Sequence, residues 1–369
     1  MGNLNKAAAA SFRQGRQQGY SAGFQAGWRD GACEWAKTSP VTPVPEALPL
    51  RVLYIPQGSL GFDAIDSGII QALQRCASEV HVGAQEGLLQ QAAAIRPDLV
   101  LVLNGLYTFP PDHLEQIAAI RALGIKTAIW FVDDPYMTAH TVQIAPAYDI
   151  VLTHERGTIP LYQQQGCLQV HHLPLAVNET VFRPFRADKT YEYEVCFIGV
   201  AFWNRVELID SIAGQLSKRK LFIAGGHWDR LKQYPLLASN IHPEGIAPEA
   251  AAHYYNGSKI VINMHRSDVP GKDNQIEAQA PGLSLNPRTY DVSACATLQL
   301  TDIRDDLFSQ YRPGYEIETY GNAQELLQKI DYYLTHEEER LRIAMRGLYR
   351  TLRDHTMTTR IATLLNLLK

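Results

Sequence analysis

Leu99-Val-Leu-Val-Leu103 is five apolar residues in succession, and runs of this kind limit what the chain can become. A strand with one wet face alternates polar and apolar residues, whereas a strand covered on both faces can be apolar throughout. Comparable runs stand at residues 51–56, 80–82, 128–132 and 150–152, alternating with helical patterns near 63–77, 85–95, 112–123 and 155–165. After a charged stretch, 183–194, the pattern restarts at 195–199, 221–224, 260–262 and 298–300, with helical patterns near 203–217, 247–256 and 286–294. Repeated strand–helix units with two-sided burial predict open, doubly wound parallel sheets with right-handed crossovers. The expectation is an α/β chain of two tandem Rossmann-like halves, 51–185 and 186–350, facing the cleft where such sheets bind ligands. Helical patterns near 323–334, 337–352 and 357–368 follow, and the segment 351–369 is placed as a helix able to cross back to the first half.

Length agrees: 369 residues at about 150 per domain make two domains. Lys plus Arg number 34 against 38 Asp plus Glu, so no basic surface for nucleic acid or anionic membrane is expected. The five cysteines are scattered and form no CxxC pair, which argues against a zinc site or a disulfide framework. They read as buried thiols in a reducing compartment. The opening MGNLNKAAAASFRQG lacks the apolar core of a signal peptide, and no run reaches the ~20 residues of a membrane span. Lys6 breaks the myristoylation pattern. A cytoplasmic protein without a membrane span is the expectation.

Residues 1–50 form a separate zone that ends in the linker Ser39-Pro-Val-Thr-Pro-Val-Pro45. Within it Gly15, Gly19, Gly23, Gly27 and Gly31 recur every fourth residue, with Tyr20, Phe24 and Trp28 each next to a glycine. On a helix this spacing makes one bare stripe beside an aromatic one. Each glycine costs about 1 kcal/mol relative to alanine, so the stripe needs a packing partner. That partner is either a second copy of the chain, giving a homodimer, or the chain's own body.

Several segments carry chemistry. Phe197-Ile-Gly199-Val-Ala-Phe-Trp-Asn-Arg205 reads as a strand end, a glycine turn and a helix start. Backbone N–H groups at a helix start attract anions, Gly199 admits a phosphate close to the chain, and Arg205 is placed to grip a diphosphate. Gly225 and His227, in Ala224-Gly-Gly-His-Trp228, repeat the design one strand later and suit a nucleobase or sugar pocket, or a tight turn. Asn286 and Pro287 have the form of a helix cap and first turn, after which Arg288 and Asp291 share one face. Asp291 is placed to hold ribose hydroxyls and Arg288 to face a diphosphate, although a surface ion pair accounts for the same spacing. His265, just past the 260–262 strand, is placed at the cleft against donor phosphate or sugar. Asp133, at a strand end, is the candidate general base, with His154 as its rival. Adjacent Asp133-Asp134 also has the form of a cation site or a helix cap. The loop 267–284 is long enough to act as a lid.

These segments, taken together, resemble a known family. Arg288-Thr-Tyr-Asp-Val-Ser-Ala-Cys-Ala, Leu300-Thr-Asp302, Asp306-Leu-Phe308, Glu325-Leu, Tyr333-Leu and Asp354-His-Thr-Met-Thr-Thr-Arg360 are similar to the carboxy-terminal domain of the spore-maturation-protein (CgeB-like) glycosyltransferases. Trp130-Phe-Val-Asp-Asp-Pro135 resembles the signature of the companion amino-terminal domain, and Cys196-Phe-Ile-Gly199 with Arg205 its entry into the second half. The resemblance implies a GT-B fold, with a nucleotide-sugar donor on the second half and an acceptor on the first. It also implies no metal cofactor, since GT-B enzymes usually neutralise the leaving diphosphate with helix starts and basic side chains. Two departures stand out: Asp291 where the family has Glu, and Ala296 where it has Gly.

The expected activity is transfer of a hexosyl or N-acetylhexosaminyl group from a nucleotide diphosphate sugar, a UDP sugar foremost, to a protein or glycan acceptor. A non-hydrolysing sugar-nucleotide epimerase and an inactive nucleotide-sugar-binding protein are the alternatives.

Overall fold

The structure, a computed structural model, describes residues 2–38, 46–58, 63–271, 273–276 and 280–367. The proline-rich linker, 39–45, lies outside the described residues. The first sheet contains β1 (Leu48–Ile55), β2 (Ala77–Val82), β3 (Leu99–Leu103), β4 (Lys126–Phe131), β5 (Ile150–Thr153) and β6 (Val170–His172). The second contains β7 (Tyr193–Ile198), β8 (Leu221–Ala224), β9 (Ile241–His242), β10 (Ser258–Asn263), β11 (Leu298–Asp302) and β12 (Glu318–Tyr320). All neighbouring strands pair in parallel, in the orders β2-β1-β3-β4-β5-β6 and β12-β11-β10-β7-β8-β9. The doubly wound α/β architecture inferred from the apolar runs is present in both halves.

Two-sided burial explains those runs residue by residue. Leu99, Leu101 and Leu103 face one apolar cluster while Val100 and Val102 face another on the opposite side of the sheet. In the second sheet Val195 and Phe197 point one way and Cys196 the other. Each such side chain contributes about 1.5–3 kcal/mol relative to exposure, so neither face tolerates a polar residue cheaply. Strand order reverses between β1 and β3 in the first sheet and between β7 and β10 in the second. Such reversals leave a crevice at the carboxyl ends of the strands.

The chain returns to its first half at the end. Helix Met357–Asn366 packs on helix Asp63–Cys76, and residues of both halves join in one continuous apolar cluster. His355 and Arg360, ends of the closing motif, make the joint. Arg360 donates to the carbonyls of Pro174 (3.1 Å) and Leu175 (3.4 Å) in the first half, and its Nη2 donates to His355 Nδ1 (2.9 Å). His355 Nε2 in turn donates to Gln310 O (3.0 Å). A ring that accepts at Nδ1 and donates at Nε2 is neutral. The motif is therefore a structural joint.

Residues Gly2–Thr38 form a single helix. It docks on its own subunit through Arg29, which donates to the backbone of Cys295 and Asn256, and through Ala32 and Trp35, which pack near Leu348, Leu352 and Tyr349. These contacts sit beside the amino ends of β7, β10 and β11, over a cavity of about 840 Å³ and at the opposite end of those strands from the crevice. The glycine stripe does not make the contact. A Cβ built on Gly15, Gly19, Gly23, Gly27 or Gly31 meets nothing within 4 Å.

Burial, with the charge of Arg360 added, pushes the His355 imidazole down to about 3. The unfolded chain takes up this proton near the ordinary value of about 6.5, the native state only near 3. The stabilisation is thus complete above about pH 6.5 and is lost as pH falls towards 3. His355→Asn should give a melting temperature that declines less steeply than wild type between pH 6.5 and 4. Parallel profiles would contradict the neutral, buried ring.

Candidate functional site

The second-half crevice is built at the end of β7. Gly199 ends the strand, and helix Trp203–Leu216 begins four residues later without a side-chain cap. A Cβ at Gly199 would lie 2.8 Å from Arg288 Nη2 and 3.0 Å from Arg205 Nη1, so only glycine lets both guanidinium groups approach. Gly225 has a different role from the nucleobase or sugar pocket expected of it. Its φ of +133° and a Cβ position 2.2 Å from Gly199 O make it the point where two loops pack. Trp228, fully buried, donates from Nε1 to Gly199 O (3.1 Å), which favours the tight-turn reading of this segment. His227 is exposed in a left-handed conformation.

Chain leaving β10 is held by side chains at four consecutive carbonyls. Tyr320 OH donates to Asn263 O (3.1 Å), Arg205 Nε and Nη2 to Met264 O (3.1 and 2.7 Å), and Asn204 Nδ2 to His265 O (2.8 Å). Tyr136 OH (3.1 Å) and Arg304 Nη2 (2.8 Å) both donate to Arg266 O. Arg205 Nη1 also donates to Val200 O (2.9 Å). Arg205 is therefore buried and committed to backbone, a correction to its expected role as the diphosphate grip. It holds the loop and the β10 extension, and burial plus the neighbouring Arg288 lower its pKa to about 9.

Arg288 rises from helix Pro287–Ala294, whose cap is Asn286, as its side chain accepts from Thr289 N (3.1 Å). Asn263, fully buried at the end of β10, accepts from Arg288 Nη1 (3.3 Å) and from Asn286 Nδ2 (2.9 Å). Among the described residues neither Arg205 nor Arg288 forms a salt bridge, so two cations stand together over Gly199 at a helix start. Asp291 follows on the same helix, half-buried near Arg288. Burial raises its carboxyl well above the usual range, with Arg288 opposing. Ala296, where the resembling family has Gly, adopts a φ of +53°, which accounts for glycine at that position.

In the first half, Asp133 ends at the crevice beyond β4. Its Oδ2 accepts from Asn104 Nδ2 and Tyr107 OH, both at 2.8 Å. Asn104 and Tyr107 hold φ of +62° and +60°, conformations that side chains rarely adopt. Asp134 does not share the site. It is fully buried and accepts from Thr141, Thr153, Thr158 and Tyr162, and so serves as an internal fastener rather than a helix cap or half of a cation site. His154 is buried beside it, with Nε2 donating to Asp134 O (2.7 Å) and Nδ1 unpartnered. His265 donates from Nδ1 to Asp302 Oδ1 (2.7 Å), leaving Nε2 buried and unpartnered. Among the described residues, no three His, Cys, Asp or Glu side chains gather as a metal site would.

The halves touch directly across the cleft. Glu155 accepts from Leu283 N (3.0 Å) and Ser284 N (3.1 Å), and Gly157 approaches Pro281 so closely that a Cβ would sit 1.9 Å from its carbonyl oxygen. Arg266 lies between the rings of Tyr136 (4.6 Å) and Phe202 (4.2 Å).

Residues 205–366 match the family profile described as "Glycosyl transferase-like". The "Spore protein CgeB" of Bacillus subtilis (strain 168) is 28% identical over 302 residues, covering 80% of this chain and 91% of that protein. Among solved structures, Anabaena Alr3699/HepE in complex with UDP and glucose superposes with a TM-score of 0.60, at 11% identity, over 86% of this chain and 99% of that one. Sucrose-phosphate synthase from Thermosynechococcus elongatus gives 0.57, at 11% identity, over 86% and 99%. The chain is a glycosyltransferase of the GT-B fold. The resemblance drawn from the motifs holds, and the matched profile begins at Arg205, in the first turn of the crevice helix.

Within this glycosyltransferase the fold brings Gly199, Arg205, Arg288 and His265 to one crevice, and Asp133 and His154 to the facing half. Asn263, Asn104, Tyr107 and Arg266 join the site without having been expected there. Asn104-Gly105 directly after an apolar run was a readable turn signal. The others gain their roles from partners distant in sequence: Asp133 lies 26 residues from Tyr107, Asn286 23 from Asn263, and Tyr136 130 from Arg266. Among the described residues no helix is long and apolar enough to cross a membrane.

Proposed function

We propose that the donor is a nucleoside diphosphate sugar, a UDP sugar foremost, bound with its diphosphate over Gly199. One observation carries this: two guanidinium groups, without a carboxylate salt-bridge partner among the described residues, stand over a glycine at an uncapped helix start. Arg288 and the first N–H groups of helix Trp203–Leu216 supply the anion contacts, while Arg205 keeps the loop in place. Asp291 takes the ribose hydroxyls. The solved relative that carries UDP and glucose on the same fold supports the donor class.

The acceptor, a protein or a glycan, lies against the first half with Asp133 as general base. Asn104 and Tyr107 fix one oxygen of that carboxylate, which leaves the other for the acceptor hydroxyl. Transfer proceeds without a metal ion. All five cysteines are free thiols, in keeping with a cytoplasmic setting. Arg288→Ala should weaken UDP binding by roughly 1.5–3 kcal/mol, the value of a hydrogen bond to a charged group, with the same difference in excess EDTA. Calorimetry reads both quantities. Equal UDP affinity for wild type and variant rejects the assignment, and loss of binding in EDTA makes the site metal-dependent.

The outward glycine stripe, flanked by Phe12 and Tyr20 at 73% and 75% exposure, is the contact face of a homodimer. Gly23→Leu with Gly27→Leu raises helix propensity but fills the stripe, so light scattering should find a dimer for wild type and a monomer for the variant. A monomeric wild type, or a dimer in both, removes the homodimer.

A further inference from the structure

Two imidazoles at the carboxyl ends of β5 and β10 each have one ring nitrogen that no described residue satisfies. His154 is 6% exposed and His265 1%. Buried polar atoms are almost always hydrogen-bonded, so two orphans in adjoining walls of one cleft call for a ligand. The rings are near enough that a charge on His265 opposes one on His154.

Their tautomers follow from their partners. His154 Nε2 lies 2.7 Å from Asp134 O, and a carbonyl can only accept, so the proton is on Nε2 and Nδ1 is a bare acceptor. His265 Nδ1 lies 2.7 Å from Asp302 Oδ1, and the same carboxylate oxygen accepts His265 N–H (2.9 Å). His265 and Arg304 hold Asp302 below the usual carboxylate range despite its burial, so it is ionised and can only accept. The His265 proton is therefore on Nδ1, and Nε2 is a second bare acceptor. Burial lowers the pKa of both rings, which keeps them neutral.

Two neutral acceptors cannot hydrogen-bond a diphosphate, whose oxygens also only accept. They match hydroxyl groups. We infer that His154 and His265 form the subsite that reads hydroxyls of the donor's sugar ring, with Asp302 as the positioning residue that fixes the His265 tautomer. This rests on the donor reading above and divides the donor between two sets of residues: Arg288 and the helix start for the diphosphate, the two histidines for the sugar. It also assigns His265 to sugar rather than to phosphate. With the halves in contact through Glu155 on Leu283 and Ser284, both nitrogens are closed off from solvent, so the sugar reaches them only when the halves part.

The test is calorimetry on the full chain with UDP, UDP-glucose, UDP-galactose and UDP-N-acetylglucosamine. Wild type should bind at least one of the sugars more tightly than UDP. His154→Ala and His265→Ala should each lower affinity for that UDP sugar about three- to tenfold while UDP affinity holds. Asp302→Asn can donate to Nδ1 and so favours the other tautomer; it should reproduce the His265→Ala split between UDP sugar and UDP. Independently of any variant, deoxy analogues of the preferred UDP sugar should bind wild type unequally, at least one losing the advantage over UDP. Parallel losses of UDP and UDP-sugar affinity would put the histidines on the diphosphate and overturn the inference. So would unchanged UDP-sugar affinity in the variants, or equal binding of all deoxy analogues. If wild type binds UDP but gains nothing from any sugar, the inference falls while the diphosphate site stands. If it binds neither, the donor reading fails and takes this subsite with it.

Discussion

The clamp on the chain leaving β10 is the contact on which the site depends. Backbone carbonyls at and beyond a strand's end normally go to water. Here Tyr320, Arg205, Asn204, Tyr136 and Arg304 occupy them in turn. An unmatched buried carbonyl costs on the order of 1–3 kcal/mol, so each donor is costly to remove and the segment has little freedom. The consequence is chemical. His265 and Arg266 emerge from a strand end at fixed positions, one against Asp302 and the other between the rings of Tyr136 and Phe202. Arg205 shows how a charged residue in a crevice can be given over wholly to holding backbone.

The same economy joins the halves. Tyr136 belongs to the first half yet completes the clamp in the second, and Glu155 accepts backbone N–H groups from across the cleft. Behind the cleft, Arg360 and His355 tie the returning carboxy-terminal helix to the carbonyls of Pro174 and Leu175. The two halves are therefore held at the front by groups that also shape the site, and at the back by a neutral histidine–arginine joint remote from it. The amino-terminal helix sits at the amino ends of the second sheet's central strands, opposite the crevice, where Arg29 anchors it.

Much of this was legible in the residues, for a physical reason. Strands covered on both faces write themselves as unbroken apolar runs, so β1, β3, β4, β7, β8 and β10 stood out, while the short edge strands β6, β9 and β12 did not. Val170-His-His172 carries no such run, and Ile241-His242 is two residues long. Helix starts were legible because capping is local: Asn286-Pro287 has its form fixed within four residues. Gly199 and Arg288 were placed at the crevice by that grammar. Arg205 was given the wrong task because the carbonyls that claim it, Met264 above all, lie 59 residues away. The Asn104–Tyr107–Asp133 constellation, with partners 26 to 29 residues apart, was hidden for the same reason.

On the proposed donor reading, the reversal between β7 and β10 holds the donor's diphosphate. A crystal structure of the full chain grown with UDP tests it most directly. Both phosphates are expected over Gly199, within hydrogen-bonding distance of Arg288 and of the first backbone N–H groups of helix Trp203–Leu216. UDP seated elsewhere, in the cavity beneath the amino-terminal helix for instance, would contradict it.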